Sequence, residues 1–192
     1  MFRSLTKKLV ALERRILTSL RRARGKSDYK RWGTTQGLSL GWDARTRQMA
    51  RLIDPGTTVI EFGAGRLVLK AHLPEGCSYT PSDLVDRGDG TIVCDLNGET
   101  LPPFPPHDVA VFSGVREYVN DVPRLIAHLS GRVTVILASY AVTDTNKRNR
   151  RVDGWVNDYS AEEFMAIFAG AGFRCAHSEP WQSQMIYKYI KR

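Results

Sequence analysis

Cysteine is scarce in this 192-residue chain, and Cys77, Cys94 and Cys175 form an odd, scattered set. They supply neither a disulfide framework nor metal-ligand spacing, which points to a reducing, cytoplasmic compartment. The four histidines make no zinc pattern, so no metal site is expected. His72 and His128 fall in expected helices, His107 before a strand and His177 within one, which are structural positions. No apolar run is long enough to span a bilayer. Acids are nearly missing from residues 1–31, where eleven Lys or Arg face only Glu13 and Asp28. That segment carries +9 of a total of +8 and leaves −1 for the remainder, so the basic character belongs to one arm. With 42% hydrophobic residues the chain suffices for one domain with a proper core and has little material for a second.

Within the arm, Leu5, Leu9, Leu12, Ile16 and Leu20 recur at helical spacing between basic flanks, with Phe2 and Leu17 nearby. This is an amphipathic basic helix. Three readings compete: a peripheral helix on an anionic membrane surface, a helix docked on a protein partner, and a cleaved Arg-rich targeting segment. Nucleic acid is disfavoured, because no aromatic-interleaved basic surface accompanies the helix. Residues 32–56 read as a lid or linker that includes Trp32 and Trp42 and a helix from Ala44 to Ile53, and residues 57–192 as the main domain.

The main domain opens on Thr58-Val59-Ile60-Glu61-Phe62-Gly63-Ala64-Gly65, a β-branched strand that runs into an acid and then a Gly-x-Gly turn. The two glycines let the backbone lie against a ligand with no Cβ in the way. Leu67, Leu69, Ala71 and Leu73 then suggest a short helix, which completes a strand, turn and helix unit. A dinucleotide loop wants a third small residue where Val68 stands, and Glu61 would repel a pyrophosphate but attract an ammonium. Asp83, after a short strand Cys77–Thr80 that breaks at Pro81, is spaced to receive ribose hydroxyls; the alternative is an Asx turn. The run from Thr91 ends in Asp95, which is either a ligand-binding acid or a turn residue before Asn97-Gly98.

A fourth strand from His107 leads into Ser113-Gly114-Val115-Arg116-Glu117-Tyr118. A helix from Val122 to Leu129 and a fifth strand, Arg132 to Ser139, follow. Ser160-Ala161-Glu162-Glu163 has the form of a capping box, and Phe173–Glu179 with Gln184–Tyr189 suits a closing hairpin.

From about Thr57 onward this ordered series resembles the class I S-adenosylmethionine-dependent methyltransferases, small single-domain kind. Glu61, Gly63 and Gly65 match the first motif, with Leu67 in place of its third glycine, and Tyr118 stands where the fourth motif often has histidine. The resemblance implies an α/β, Rossmann-like, seven-stranded and mostly parallel sheet flanked by helices, of order 3-2-1-4-5-7-6 with the last strand antiparallel. It implies S-adenosyl-L-methionine as cofactor, held by Glu61, Gly63, Ala64, Gly65, Asp83, Asp95, Ser113 and Gly114. Asp95 would receive the adenine amino group. Glu117, Tyr118, Tyr140 and Asp144 become candidates to orient an acceptor, and no general base is assigned. The cation-rich loop from Asn146 to Asn157, with Lys147, Arg148, Arg150, Arg151 and Trp155, either closes over an anionic small-molecule, glycan or lipid-linked acceptor or is a solvated loop. The departures at Leu67 and Tyr118 keep a non-catalytic binding module in view, and a nicotinamide-dependent oxidoreductase is the least favoured reading.

Overall fold

The computed structural model describes residues 2–192, with side chains from Thr6 onward. Its elements in chain order are α1 (Phe2–Arg24), α2 (Tyr29–Trp32), α3 (Asp43–Ala50), β1 (Thr58–Phe62), β2 (Ser78–Asp83), β3 (Ile92–Val93), β4 (His107–Phe112), α4 (Val122–Leu129), β5 (Val133–Tyr140), α5 (Ala161–Gly170), β6 (Phe173–Trp181) and β7 (Gln184–Lys191). The strands form one seven-stranded sheet of order β3-β2-β1-β4-β5-β7-β6. β1 to β5 are parallel, and β7 runs antiparallel to both of its neighbours.

The period-2 alternation of the central strands divides the core between the two faces of the sheet. Ile60, Phe62, Ala110, Phe112, Ile136 and Ala138 face α4 and α5, where Val122, Leu125, Ile126, Phe164 and Phe168 cover them. Val59, Val109, Val111 and Leu137 face the other way, onto Met49, Ala50 and Ile53 and onto Leu69. Local chemistry agrees with this packing. The Ser160 hydroxyl accepts from Glu163 N–H while the Glu163 carboxylate accepts from Ser160 N–H, the reciprocal capping box that starts α5. Asp121 caps α4 by accepting from Arg124 N–H.

Three local expectations are corrected. The helix expected over Leu67–Leu73 shrinks to a 3-10 turn at Leu69–His72, because Leu67 takes φ +57 and breaks the helical run before it begins. Pro81 does not end β2, which continues to Asp83. β3 pairs only with Ser82 and Asp83, so β2 is an edge strand at Pro81 and tolerates its missing N–H. The third strand is only Ile92–Val93, since the Asp95 side chain accepts from Asn97 N–H and turns the chain.

Arg116, just beyond β4, is 0% exposed. Its guanidinium lies 4.0 Å from the Phe112 ring centroid and 4.7 Å from that of Phe168. None of its three guanidinium nitrogens has a hydrogen-bond partner among the described residues. Burial pulls its pKa down to about 9, so it is still a cation at neutral pH. Cation–π contact returns about 2 kcal/mol per desolvated ring, whereas an unpaired buried ion costs several kcal/mol. Arg116→Met is therefore expected to stabilise the fold by about 1–2 kcal/mol, read as a higher denaturant midpoint at unchanged m-value. A lower midpoint would show that the aromatic cage outweighs the desolvation.

Candidate active site

The glycine turn lies at the carboxyl end of the parallel strands, where an open α/β sheet leaves a crevice. Gly63 (φ +70) and Gly65 (φ +54) hold left-handed conformations. The turn is pinned to β2, as Gly63 N–H and Ala64 N–H both donate to the Ser82 carbonyl, at 2.8 and 3.2 Å. Leu67, at the place of the third glycine, also takes a positive φ. It therefore keeps the backbone path a glycine would follow, at a steric cost of about 1–2 kcal/mol.

In front of the turn is a cavity of about 400 Å³. Its floor is Gly63, Gly65, Ser82, Asp83, Ser113 and Gly114, one side is Cys94, Leu96 and Asn97, and the other is Val115, Glu117 and Tyr118. Arg31, Trp32, Leu38 and Trp42 cover it from the N-terminal side, and Arg148, Asp153 and Trp155 from the cation-rich loop. The β6–β7 turn adds Trp181 and Gln184. The aromatic walls touch one another: the Trp32 and Tyr118 ring centroids are 4.7 Å apart at 68°, and Trp155 Nε1 donates to Tyr118 Oη at 3.2 Å.

Seven residues predicted from the sequence meet on this wall: Gly63, Gly65, Asp83, Ser113, Gly114, Glu117 and Tyr118. Asp83 is 6% exposed. It accepts from Gly65 N–H (2.8 Å) and from Leu84 N–H (2.7 Å), and it pairs with Arg87 at 3.2 Å. Arg87 also donates to the Trp32 carbonyl, which ties the cover to the floor. Glu117 is 1% exposed, and its Oε1 accepts from Ala141 N–H (2.9 Å) and Gln184 Nε2 (2.8 Å). Its Oε2 has no hydrogen-bond partner among the described residues. Burial raises the Glu117 pKa, opposed by nearby Arg45.

Five predicted residues lie elsewhere. Ala64 is buried in the turn behind the wall. Asp95 turns to the arm, where Ser27 Oγ (2.5 Å) and Tyr29 Oη (3.3 Å) donate to it, because the turn at Asn97 swings its side chain outward. Tyr140 is a core residue: its hydroxyl donates to Asn157 Oδ1 and accepts from Arg150 and from Tyr159 N–H. Asp144 is exposed and accepts from Ala161 N–H at the start of α5. Glu61 shares the face of Val59 and lies beneath the turn, with Tyr79 Oη donating to it at 2.5 Å.

Burial pushes the Glu61 pKa up to about 8, although the Tyr79 hydrogen bond works against the rise. Between its unfolded value of 4.5 and 8 the folded chain holds a proton that the unfolded chain has released. Glu61 therefore contributes stability that is present below pH 4.5 and lost as pH rises through 8, with a slope of at most about 1.4 kcal/mol per pH unit. Glu61→Gln is expected to flatten this slope in denaturation curves taken across that range; an unchanged slope would assign it to other groups.

Sequence reasoning missed Arg45, Arg87 and Gln184. Arg45 donates to Ser113 Oγ, the Ser113 carbonyl and Gln184 Oε1. The signal for Arg45 was Gly114: at φ +71, an added Cβ would lie 2.3 Å from the Arg45 guanidinium. Nothing in the local sequence flags Gln184, which reaches Glu117 only because β7 returns beside β5.

Comparison with solved structures places this architecture. No protein-family model matches the chain, and no curated protein matches it either. Solved structures do match. Human N-acetylserotonin methyltransferase, in complex with S-adenosylmethionine, superposes with a TM-score of 0.65 at 14% identity, covering 85% of this chain and 57% of that one. Mitomycin 7-O-methyltransferase gives 0.63 at 20% identity, covering 82% and 56%. The Burkholderia thailandensis 1,6-didemethyltoxoflavin-N1-methyltransferase, with its acceptor and S-adenosylhomocysteine bound, gives 0.59 at 15%, covering 78% and 79%. The chain thus spans a little over half the length of the first two. It has the fold of the class I S-adenosylmethionine-dependent methyltransferases.

Proposed function

We propose that this chain is an S-adenosylmethionine-dependent methyltransferase acting on a small molecule that presents a hydroxyl or amine. The observation that carries the reading is the cavity itself, which joins a Cβ-free turn and a buried carboxylate to an aromatic cover. The floor fits the donor. Gly63 and Gly65 leave room for close backbone approach, Asp83 stands at the end of β2 for ribose hydroxyls, and the buried Ser82 Oγ has no protein partner among the described residues. Asn97, Leu96 and Cys94 take the adenine side in place of Asp95. When bound, the sulfonium donor supplies an electrophilic methyl group. The protein's part is then alignment and exclusion of water.

Glu117 orients the acceptor in this reading. Gln184 and Ala141 N–H hold one oxygen, and the other is free to accept from an acceptor O–H or N–H. Trp32, Trp42, Tyr118 and Trp155 suit a planar ring or the apolar face of a sugar. Glycan and lipid-linked acceptors therefore share the chemistry of this wall with aromatic ones. Arg148 pairs with the Asp153 carboxylate and Arg31 donates to the Asp153 carbonyl, so of these two cations only Arg31 keeps its charge unpaired for an acidic group on the acceptor.

A second reading, a non-catalytic module with the same fold, is favoured by Asp83, whose oxygens already serve Gly65, Leu84 and Arg87. Calorimetric titration with S-adenosylmethionine and S-adenosylhomocysteine, followed by a labelled-methyl screen of phenols, amines and sugars, separates the two. Asp83→Ala is expected to weaken adenosyl-ligand binding about tenfold or more. Glu117→Gln is expected to lower kcat about 10–100-fold while leaving donor affinity unchanged. Binding without turnover favours the module, and a folded protein that binds neither ligand sinks the enzyme reading.

A further inference from the structure

Helix α1 attaches to the domain by its polar side. Thr18 is 3% exposed, Arg22 pairs with Asp158 at 3.2 Å, and Arg21 pairs with Asp28 at 2.7 Å. The apolar stripe consequently faces away from the protein. Leu9 is 60% exposed, Leu12 52%, Ile16 51% and Leu20 45%. Ile16 and Thr18, two positions apart, are about 200° apart around a helix, so the buried and apolar sides are opposed. An amphipathic helix that only reinforced its own domain would bury this stripe.

We infer that α1 lies in the surface of an anionic lipid bilayer, with Leu9, Leu12, Ile16 and Leu20 among the acyl chains. Its 23 residues carry eight Lys or Arg and one acid, Glu13. Lys8 and Arg15 lie along the flank of the stripe beside Leu12, where long cationic side chains reach lipid headgroups, and Arg24 lies on the other flank with Glu13. Charge decides between this occupant and a second copy of the chain. A self-paired helix would bring two strongly basic helices together, whereas an anionic surface neutralises the excess of cations. No described helix is long and apolar enough to cross a membrane, so α1 lies on the surface. Beyond Arg24 the chain turns at Gly25 (φ +60) into α2, whose Trp32 is on the cavity wall. The docked helix thus holds the cavity close to the lipid. The inference does not depend on the methyltransferase reading.

The test is co-sedimentation of the full chain with phosphatidylcholine vesicles, with and without phosphatidylglycerol, at about 0.1 M and about 1 M salt. Wild-type protein is expected to partition onto the anionic vesicles and to lose much of that binding in high salt. Leu9→Glu with Ile16→Glu, and separately Lys8→Glu with Arg15→Glu, are each expected to reduce partitioning about a hundredfold. Circular dichroism and melting keep the comparison to folded protein. The inference is overturned if the folded wild type stays in solution, or if the Leu9→Glu, Ile16→Glu chain partitions like wild type. Sedimentation velocity showing a dimer that Leu9→Glu with Ile16→Glu dissolves, without vesicle binding, overturns it in favour of self-pairing.

Discussion

Arg150→Ala is expected to destabilise the fold by about 3–5 kcal/mol, among the larger effects of any single substitution. Its guanidinium is buried and donates at Nε to the Asn157 carbonyl (2.7 Å), at Nη1 to the Ala141 carbonyl (2.6 Å) and at Nη2 to Tyr140 Oη (2.8 Å). It also lies 4.8 Å from the Trp155 ring centroid. The ion pair with Asp158 is the smaller contribution, because that carboxylate is 41% exposed and screened by water. The loss comes from the buried acceptors left without a donor, each worth about 1–3 kcal/mol. Urea denaturation should show the midpoint falling, with adenosyl-ligand affinity close to wild type wherever the variant is still folded. A variant of wild-type stability would mean that the loop repacks around the missing side chain.

The same loop shows where sequence reading stops. Four cations and a tryptophan in twelve residues left a closure over an anion and a solvated loop both open, yet Arg150 is an internal brace and Arg151 donates to the Trp155 carbonyl and the Asp158 carboxylate. Charge density along a chain does not reveal which guanidinium will find backbone carbonyls in a fold. Of the loop's four cations, only Arg148 is on the cavity wall.

The strands, by contrast, were legible, because β-branched runs, the Gly-x-Gly turn, the capping box at Ser160 and the closing hairpin are local signals that agree with one another, while their order came only with the resemblance those motifs carry. Asp83 was legible because it ends β2, and Glu117 because it lies in the exit of β4, on the 3-10 turn Arg116–Tyr118. Tyr140 ends β5, Asp95 and Asp144 lie two and four residues beyond β3 and β5, and all three still point elsewhere, since the path of the chain around a strand's end decides which way a side chain projects. The aromatic cover could not be assembled beforehand. Trp32, Trp42, Tyr118 and Trp155 come from four segments that meet only in three dimensions. Leu67 was read as a departure at a glycine position, and the backbone shows it holding the glycine's conformation.

Gly63→Ala carries the other large expected effect, and it strikes stability and the cavity together. A Cβ at Gly63 would lie 2.4 Å from Val115 Cγ2, a separation that real structures do not contain, and the φ of +70 is itself unfavourable for alanine. The left-handed conformation costs about 1–2 kcal/mol and the overpacking about 1–3, so a total of about 2–5 kcal/mol is expected. For a chain of this size that is a fall in melting temperature of about 10 °C. Gly56→Ala is the control, because φ is +72 there but nothing lies within 4 Å of an added Cβ; it should show the conformational cost alone. Adding Val115→Ala to Gly63→Ala separates the two contributions. The double variant should regain most of the overpacking cost and none of the conformational one, giving a coupling energy of about 1–3 kcal/mol. Additive losses would mean that the turn moves to accommodate the methyl group. Should the donor lie against this turn as proposed, the double variant will also bind S-adenosylmethionine about tenfold or more weakly than Val115→Ala alone, since the new methyl group remains on the cavity floor after its clash with Val115 is gone.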